Sequence, residues 1–378
     1  MRIDHCRVCG SPLLEEPLLR YENMPRAAQY LPDAGSLEGE AGVRLDVCQC
    51  SGCGLIQLDS DPVPYYREVI RATAVSEEMR DFRRCQLSDV VRECSLAGRK
   101  VLEVGCGAGE YLSILRECQV DAYGLEESAA SVKRCVERGL RVSRGFVESE
   151  SYEIQDGPFD AFMTFNYLEH LPAPNAVLRG IGNNLADGAV GLVEVPNFDL
   201  VIRDRVFSEF ICDHLCYFTK ATLVSTLQLN GFEVIRCAEI WHDYILAALV
   251  RKRGRVDLSD FFRCRAELQR NLDGYLQGYG DRRVAVWGAG HQALAVLSLT
   301  GIADRIQYVV DSAPFKQGKF TPATHIPIVS PNALDAEPVD AVIVMVAGYS
   351  DEVARIIRGR YGKRIDVAIV RGYRVDVV

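Results

Sequence analysis

"VLEVGCGAGEYL", residues 101–112, decides the fold of the middle of this chain. An apolar run of strand length ends in three glycines at alternate positions, Gly105, Gly107 and Gly109, and a helical pattern follows. Glycines at the end of a strand let a ligand approach the backbone closely. A dinucleotide fingerprint, G-x-G-x-x-G/A, would put its last small residue where Glu110 stands. A carboxylate at that point would repel a pyrophosphate. The pattern is instead E-x-G-x-G-x-G, with Glu103 at its head.

Outward from the turn, short apolar strands alternate with helical patterns: "KVLEVGC", "DAYGLEE", "FDAFMTFN" and "AVGLVEVP". Such alternation predicts βαβ units and a parallel sheet. Before them, residues 74–97 read as an amphipathic helix with Met79, Phe82, Leu87, Val90 and Val91 on one stripe. After them, "GFEVIRCAEI" and "YILAALVRKR" read as a closing antiparallel pair, and 256–279 as a charged helical linker. A second alternation then starts with "RVAVWGAG", "IQYVVDSA" and "DAVIVMVAG". The chain divides into a cap (1–72), an α/β domain (73–254) and a second, Rossmann-like α/β domain (255–378).

The cap has little regular periodicity and a Gly-rich middle. Cys6-x-x-Cys9 and Cys50-x-x-Cys53 form two knuckles about forty residues apart. Two knuckles supply four thiolates, the coordination zinc takes in closed structural sites. A segment this short needs such a staple to fold. Cys48 lies close enough to compete with Cys50. Four thiolates leave no open position, so the predicted zinc is structural.

The whole chain has 378 residues, a formal net charge of −9, 48% apolar residues and 14 cysteines. That balance, without a basic block, argues against nucleic-acid binding. No apolar run approaches the length of a membrane span, and the N-terminus lacks an apolar signal core. The expectation is a cytoplasmic protein, monomer or homodimer, acting on a small molecule with no nucleic-acid or membrane partner.

The glycine loop resembles that of class I S-adenosylmethionine-dependent methyltransferases, whose cofactor carries no phosphate. The resemblance implies that Glu103, Gly105, Gly107 and Gly109 form the cofactor turn. It implies Glu126 of "YGLEES" as the ribose acceptor, Phe146 of "GFVESE" against adenine, and Asn166 near the methionine end. The histidine of "LEHL", His170, is structural on this reading.

Three features in order extend the resemblance to nearly the full length: the CxxC…CxxCGL cap, the cofactor domain, and a tail with "VVDSAPFKQGKFTPATHIPI". That order looks like the nucleotide-deoxysugar C-methyltransferases, which methylate C3 of nucleotide-linked 4-keto sugars. The family carries an acid–His pair followed by "YF"; in "SEFICDHLCYFTK" these are Asp213-His214 and Tyr217-Phe218. The resemblance implies that His214 is the base, with Asp213 and Tyr217 as catalytic neighbours and a nucleotide sugar as substrate. Methylating carbon requires loss of a proton beside a ketone, and an imidazole suits that work near neutral pH. A carboxylate at its side would hold the ring.

The chain departs from the family where Ile211 replaces an expected Tyr, and where "REVIRATAVS" replaces a Tyr-x-Tyr-x-Ser element, keeping only Ser76. Tyr65 and Tyr66 lie several residues too early for that element. O- or N-methylation of another metabolite is therefore the alternative. "GAGHQA" fits G-x-G-x-x-A through Gly288, Gly290 and Ala293, with Asp311 about twenty residues on, so an NAD-binding oxidoreductase fusion is a further alternative. The resemblance implies instead that this domain helps frame the sugar-nucleotide cleft. Arg203, Arg205, Lys316 and Lys319 are candidate pyrophosphate cations whose simpler role is surface solvation.

Overall fold

A computed structural model describes residues 3–29, 31–68, 76–281 and 283–378. The chain separates into two compact units, 1–254 and 255–378.

In the first unit, β1 (Leu19–Met24), β2 (Val43–Gln49) and β3 (Ile56–Leu58) form an antiparallel meander. Helix α1 (Glu77–Glu93) follows; the Ser76 hydroxyl accepts from the Met79 N–H at 3.1 Å, a cap that contributes about 1 kcal/mol. Its inward stripe holds Leu87, Val90 and Val91 as expected, with Met79 and Phe82 half-buried. It also buries Arg83, which the apolar pattern did not reveal. The Arg83 guanidinium lies between the Tyr111 and Phe165 rings, 4.8 and 4.9 Å from their centroids, and meets the Glu194 carboxylate at 2.6 Å.

Alternation then proceeds as the apolar runs predict: β4 (Lys100–Val104), α2 (Glu110–Glu117), β5 (Asp121–Glu126), α3 (Ala129–Glu137), β6 (Val142–Arg144), β7 (Phe159–Phe165), α4 (Pro174–Asn183), β8 (Leu185–Pro196) and α5 (Phe198–Asp204). A two-residue strand, β9 (Cys216–Tyr217), precedes α6 (Lys220–Leu229) and the antiparallel pair β10 (Phe232–Ile240) and β11 (Ile245–Lys252). The main sheet has the order β10-β11-β8-β7-β4-β5-β6, parallel from β8 to β6. Central β11 is apolar on both faces, whereas edge strand β10 carries Glu233, Arg236 and Glu239. Strand order reverses at β4, between β5 and β7, and the carboxyl end of that strand is where an open α/β sheet binds its ligand.

The meander is not closed within the cap. Its fourth strand is β9, antiparallel to β3 through Ile56–Tyr217 and Gln57–Cys216. Cap and middle domain thus share one sheet.

The second unit opens with α7 (Ser259–Gln277). The sequence reading of 256–279 as a linker is corrected here: Leu268, Leu272 and Leu276, four residues apart, enter the core of this unit. There follow β12 (Val284–Trp287), α8 (His291–Thr300), β13 (Tyr308–Val310), β14 (Ile328–Val329), α9 (Ala333–Ala336), β15 (Ala341–Val344), α10 (Ser350–Tyr361), β16 (Asp366–Arg371) and β17 (Arg374–Val377). The sheet order is β14-β13-β12-β15-β16-β17, parallel except for the last pair. No helix among the described residues is long and apolar enough to cross a membrane.

Candidate active site

The glycine turn joins β4 to α2. Gly105 has φ +72°, and a Cβ there would come within 2.9 Å of the Tyr167 ring, so no larger residue fits. Gly107 has φ +56°, and a Cβ there would meet nothing within 4 Å. Its missing side chain leaves an open cradle over the carboxyl end of the sheet. Gly109 packs against Leu140 and Cys135. At the end of β5, Glu126 accepts from the Gly107 and Ser128 N–H groups, both at 2.9 Å. Burial raises its pKa above the ordinary carboxyl value. Glu103 is buried within β4. Phe146 packs edge-on to Tyr66 at 5.8 Å, and the Arg67 guanidinium lies 5.0 Å from its centroid. Asn166, just past β7, is left-handed at φ +52° and donates its N–H to the Glu194 carbonyl at 3.0 Å.

A 3-10 turn, Leu168–His170, follows. The His170 ring meets the His214 ring edge-on, centroids 4.8 Å apart. Its Nδ1 lies 2.8 Å from the Asp213 carbonyl, which fixes Nδ1 as the protonated nitrogen and leaves Nε2 as an acceptor. Burial, then the His170 charge, push His214 down to about 3, so its imidazole is neutral at neutral pH. Burial also lowers His170.

Two expected catalytic neighbours sit elsewhere. The Asp213 carboxylate does not hold His214: it accepts from the Tyr65 hydroxyl at 2.7 Å and the Ala28 N–H at 3.1 Å. Asp213 lies in a turn that the His214 N–H closes on the Ile211 carbonyl at 3.3 Å, so adjacency in sequence does not bring the two side chains together. The Tyr217 hydroxyl turns onto the Ile211 backbone, accepting from its N–H at 3.0 Å and donating to its carbonyl at 3.2 Å. Its ring packs between Phe198 and Phe210. His170, read from sequence as structural, holds the Asp213 carbonyl and is in ring contact with His214. Tyr65 and Tyr66, too early by spacing, do reach Asp213 and Phe146. Of the element "REVIRATAVS", residues 69–75 lie outside the described residues.

The acid nearest both rings is one that sequence reasoning passed over. One oxygen of Glu169 and one nitrogen from each of His170 and His214 all lie within 4.8 Å of one another.

In the cap, the four sulfurs of Cys6, Cys9, Cys50 and Cys53 also converge within 4.8 Å. Cys6 and Cys53 approach to 3.6 Å, Cys9 and Cys50 to 3.3 Å. Backbone N–H groups of Val8, Cys9, Gly52 and Cys53 point at the Cys6 and Cys50 sulfurs at 3.3–3.5 Å. Donors of this kind suit thiolates, and the group is compatible with zinc. Cys48 is outside it.

A family model described as a methyltransferase domain matches residues 79–236, and one described as the C-methyltransferase C-terminal domain matches residues 260–364. C-methyltransferase NovU of Streptomyces niveus is 24% identical over 394 residues, covering 93% of this chain and 91% of the relative. The chain is an S-adenosylmethionine-dependent methyltransferase, similar to a C-methyltransferase over nearly its full length. A ubiquinone biosynthesis O-methyltransferase of Methylococcus capsulatus is 36% identical over 89 residues, 22% of this chain and 38% of that protein. A solved S-adenosylmethionine-dependent methyltransferase from Clostridium acetobutylicum aligns at TM-score 0.40 and 13% identity, over 50% of this chain and 96% of its own.

The residues of this methyltransferase fit its cofactor. The Gly107 cradle is open, and the Glu126 carboxylate at its edge is a hydrogen-bond acceptor that takes the Gly107 and Ser128 N–H groups.

The second unit has a parallel glycine turn after β12, but its acid is engaged. Asp311 accepts from the Ala289 and Ala313 N–H groups and from the Lys316 ammonium, each at 2.8 Å. The Lys316 charge is thereby taken up within the turn, as is the carboxylate that an NAD ribose would need.

Proposed function

We propose that this methyltransferase C-methylates a nucleotide-linked keto deoxysugar, with His214 as the base that removes the proton beside the ketone. The carrying observation is a neutral, largely buried imidazole linked to the glycine turn by short contacts: His214 on His170, and Tyr167 of the same turn against Gly105. The likeness to a C-methyltransferase over nearly the full chain supports carbon as the acceptor, and the cap-to-tail marker order supports the sugar nucleotide.

The Gly105–Gly109 turn and Glu126 would hold S-adenosylmethionine, with Phe146 toward adenine and Asn166 toward the methionine end. Bound there, the cofactor supplies an electrophilic methyl group. His214 would take the α-proton, and the electron pair would move to the carbonyl oxygen of the substrate as an enolate. The apolar wall of Phe198, Phe210 and Tyr217 would exclude water from that base.

Incubation with a nucleotide-linked 4-keto deoxysugar in deuterium oxide tests the reading. Carbon methylation requires exchange or loss of the α-proton; O- or N-methylation does not. A His214→Ala variant should keep cofactor affinity and lose about two to four orders of magnitude in turnover. Full turnover in that variant would move the base elsewhere. O-methylation has its own support in the segment shared with ubiquinone O-methyltransferases, and product lacking a new carbon–carbon bond would select it.

The Cys6, Cys9, Cys50 and Cys53 sulfurs would hold one structural zinc. Its task follows from the shared sheet. The knuckle residue Arg7 reaches the Pro172 and Ser60 carbonyls, and Gln57 pairs with Cys216, two residues from His214. Metal analysis of native protein and of Cys53→Ser should give about one zinc and none.

A further inference from the structure

Glu169 has no role in the reading above, yet its placement is costly. Its side chain is buried, and neither carboxylate oxygen has a hydrogen-bond partner among the described residues. Buried polar groups are nearly always satisfied, and an exception calls for a cause. The backbone locks the residue in place: its carbonyl accepts from the Leu215 N–H at 2.7 Å, directly after His214. Its Oε1 lies 3.8 Å from the His170 Nε2. Of the other titratable groups around it, the Cys216 thiol, pushed up to about 12 by burial, and the Tyr244 phenol, also raised by burial, are neutral, while the Asp213 carboxylate is held on Tyr65.

We propose that Glu169 is the positioning acid of the methyltransferase, pairing through its carboxylate with His214 when the imidazole takes the substrate's proton. This rests on the assignment of His214 as base. A neutral imidazole in a buried pocket is a weak base unless its cation gains a partner. Asp213, the carboxylate that adjacency suggests, faces away. A Glu169 carboxylate oxygen lies within 4.8 Å of a His214 ring nitrogen.

The step balances. The substrate C–H bond breaks, its proton bonds to a His214 ring nitrogen, and the electron pair becomes the enolate. The enolate carbon then bonds to the methyl carbon as the carbon–sulfur bond breaks toward sulfur. The proton on His214 passes to the Glu169 carboxylate, and from there to water once product leaves. The competent resting form is therefore neutral His214 beside ionised Glu169. Burial holds the carboxyl up at about 8, so at neutral pH most molecules still carry that proton. Turnover should rise with pH through this region.

The test uses full-length enzyme with a nucleotide-linked 4-keto deoxysugar. Glu169→Gln keeps size and shape but cannot ionise. It should lower kcat about 10- to 100-fold, leave the acceptor KM within about twofold, and flatten the alkaline rise. Glu169→Asp should restore part of the rise. Unchanged kcat and an unchanged profile in Glu169→Gln, with His214→Ala inactive, would overturn the pairing and leave the base assignment standing. An active His214→Ala would instead sink the base assignment.

A second measurement needs neither the acceptor nor the variant's turnover. In protein labelled with 15N-histidine, the His214 ring signals, assigned by their loss in His214→Ala, should shift as pH passes through about 8, because the neighbouring carboxyl ionises there. If Glu169→Gln folds, its His214 signals should stay flat. If it does not fold, wild-type signals that stay flat through the same range overturn the proposal.

Discussion

The two glycine turns of this chain are built alike and prepared for different chemistry. Each follows the strand where sheet order reverses, β4 in one unit and β12 in the other. Each is closed by a carboxylate at the end of the neighbouring strand. Glu126 accepts from Gly107 and Ser128; Asp311 accepts from Ala289 and Ala313. The difference is one lysine. Burial acts to raise Asp311, but the Lys316 ammonium and the two amides outweigh it and hold the carboxyl below its ordinary value. Among the described residues Glu126 has no such ion-pair partner, and burial leaves it above its ordinary value. One turn keeps an acceptor for hydroxyl groups, while the other has spent its acceptor on itself. Shared topology fixes where a ligand could bind, and a single side chain fixes whether it can.

The sharpest way to break this contrast is to fill the two cradles. Gly107→Val puts a branched side chain at φ +56° into the open space over the sheet. Calorimetry should show S-adenosylmethionine affinity falling at least about 100-fold. Gly290 has an extended backbone and equally open space, so Gly290→Val should leave that affinity unchanged. Equal losses in both would mean the second turn also serves the cofactor.

Next in size is a comparison of ion pairs. Arg83 and Glu194 are both fully buried, and Arg83→Ala strands the Glu194 charge; denaturation should register a loss of about 3–5 kcal/mol. Lys316 is partly exposed at 27%, so solvent screening reduces the worth of its pair with Asp311. Lys316→Ala should cost about 1 kcal/mol or less. A smaller third effect separates the acids themselves: Glu126→Gln should weaken the cofactor about tenfold, and Asp311→Asn should not change it.

The strands on both sides of this contrast were legible in sequence because a parallel strand covered on both faces needs an unbroken apolar run, and glycines mark its end. Helix α7 was misread because its first half is charged and exposed. Only Leu268, Leu272 and Leu276 carry the stripe, and a core to receive them is invisible locally. The site was legible where it is local, in the glycine turn and the cysteine knuckles. It was hidden where it is assembled at a distance. Tyr65 meets Asp213 across 148 positions, and Glu169 is trapped by a backbone bond from Leu215. Adjacency misled for Asp213, since it sits in a turn and its carboxylate is held by Tyr65 from far along the chain. The signal that could have exposed Glu169 is its place beside His170 in "LEHL", a few residues past the end of β7.

The units should also differ in how acid unfolds them, and the chain carries its own reporters, with Trp241 in the first unit and Trp287 in the second. In the first unit, His214 drops from an ordinary 6.5 to about 3 and His170 shifts the same way. Between those values the unfolded chain binds protons that the folded one does not, so stability present above pH 6.5 is lost as pH falls toward 3. Glu169 has the opposite sign. Raised from 4.5 to about 8, it contributes stability below pH 4.5 that disappears as pH rises through 8. Glu126 and Glu194, also raised by burial, share the sign of Glu169, so this unit loses stability as pH rises from 6.5 through 8, where the raised carboxyls still titrate, and as pH falls from 4.5 toward 3, where His214 still does. In the second unit, Asp311 is lowered from 3.8 and loses its contribution only below that value. Denaturation midpoints read from Trp241 in a Trp287→Phe protein should therefore fall as pH rises from 6.5 through 8 and again below 4.5, while those read from Trp287 in a Trp241→Phe protein stay level from pH 8 down to about pH 4. Parallel pH curves from the two reporters would show that the buried histidines and Glu169 do not carry the charge states assigned to them.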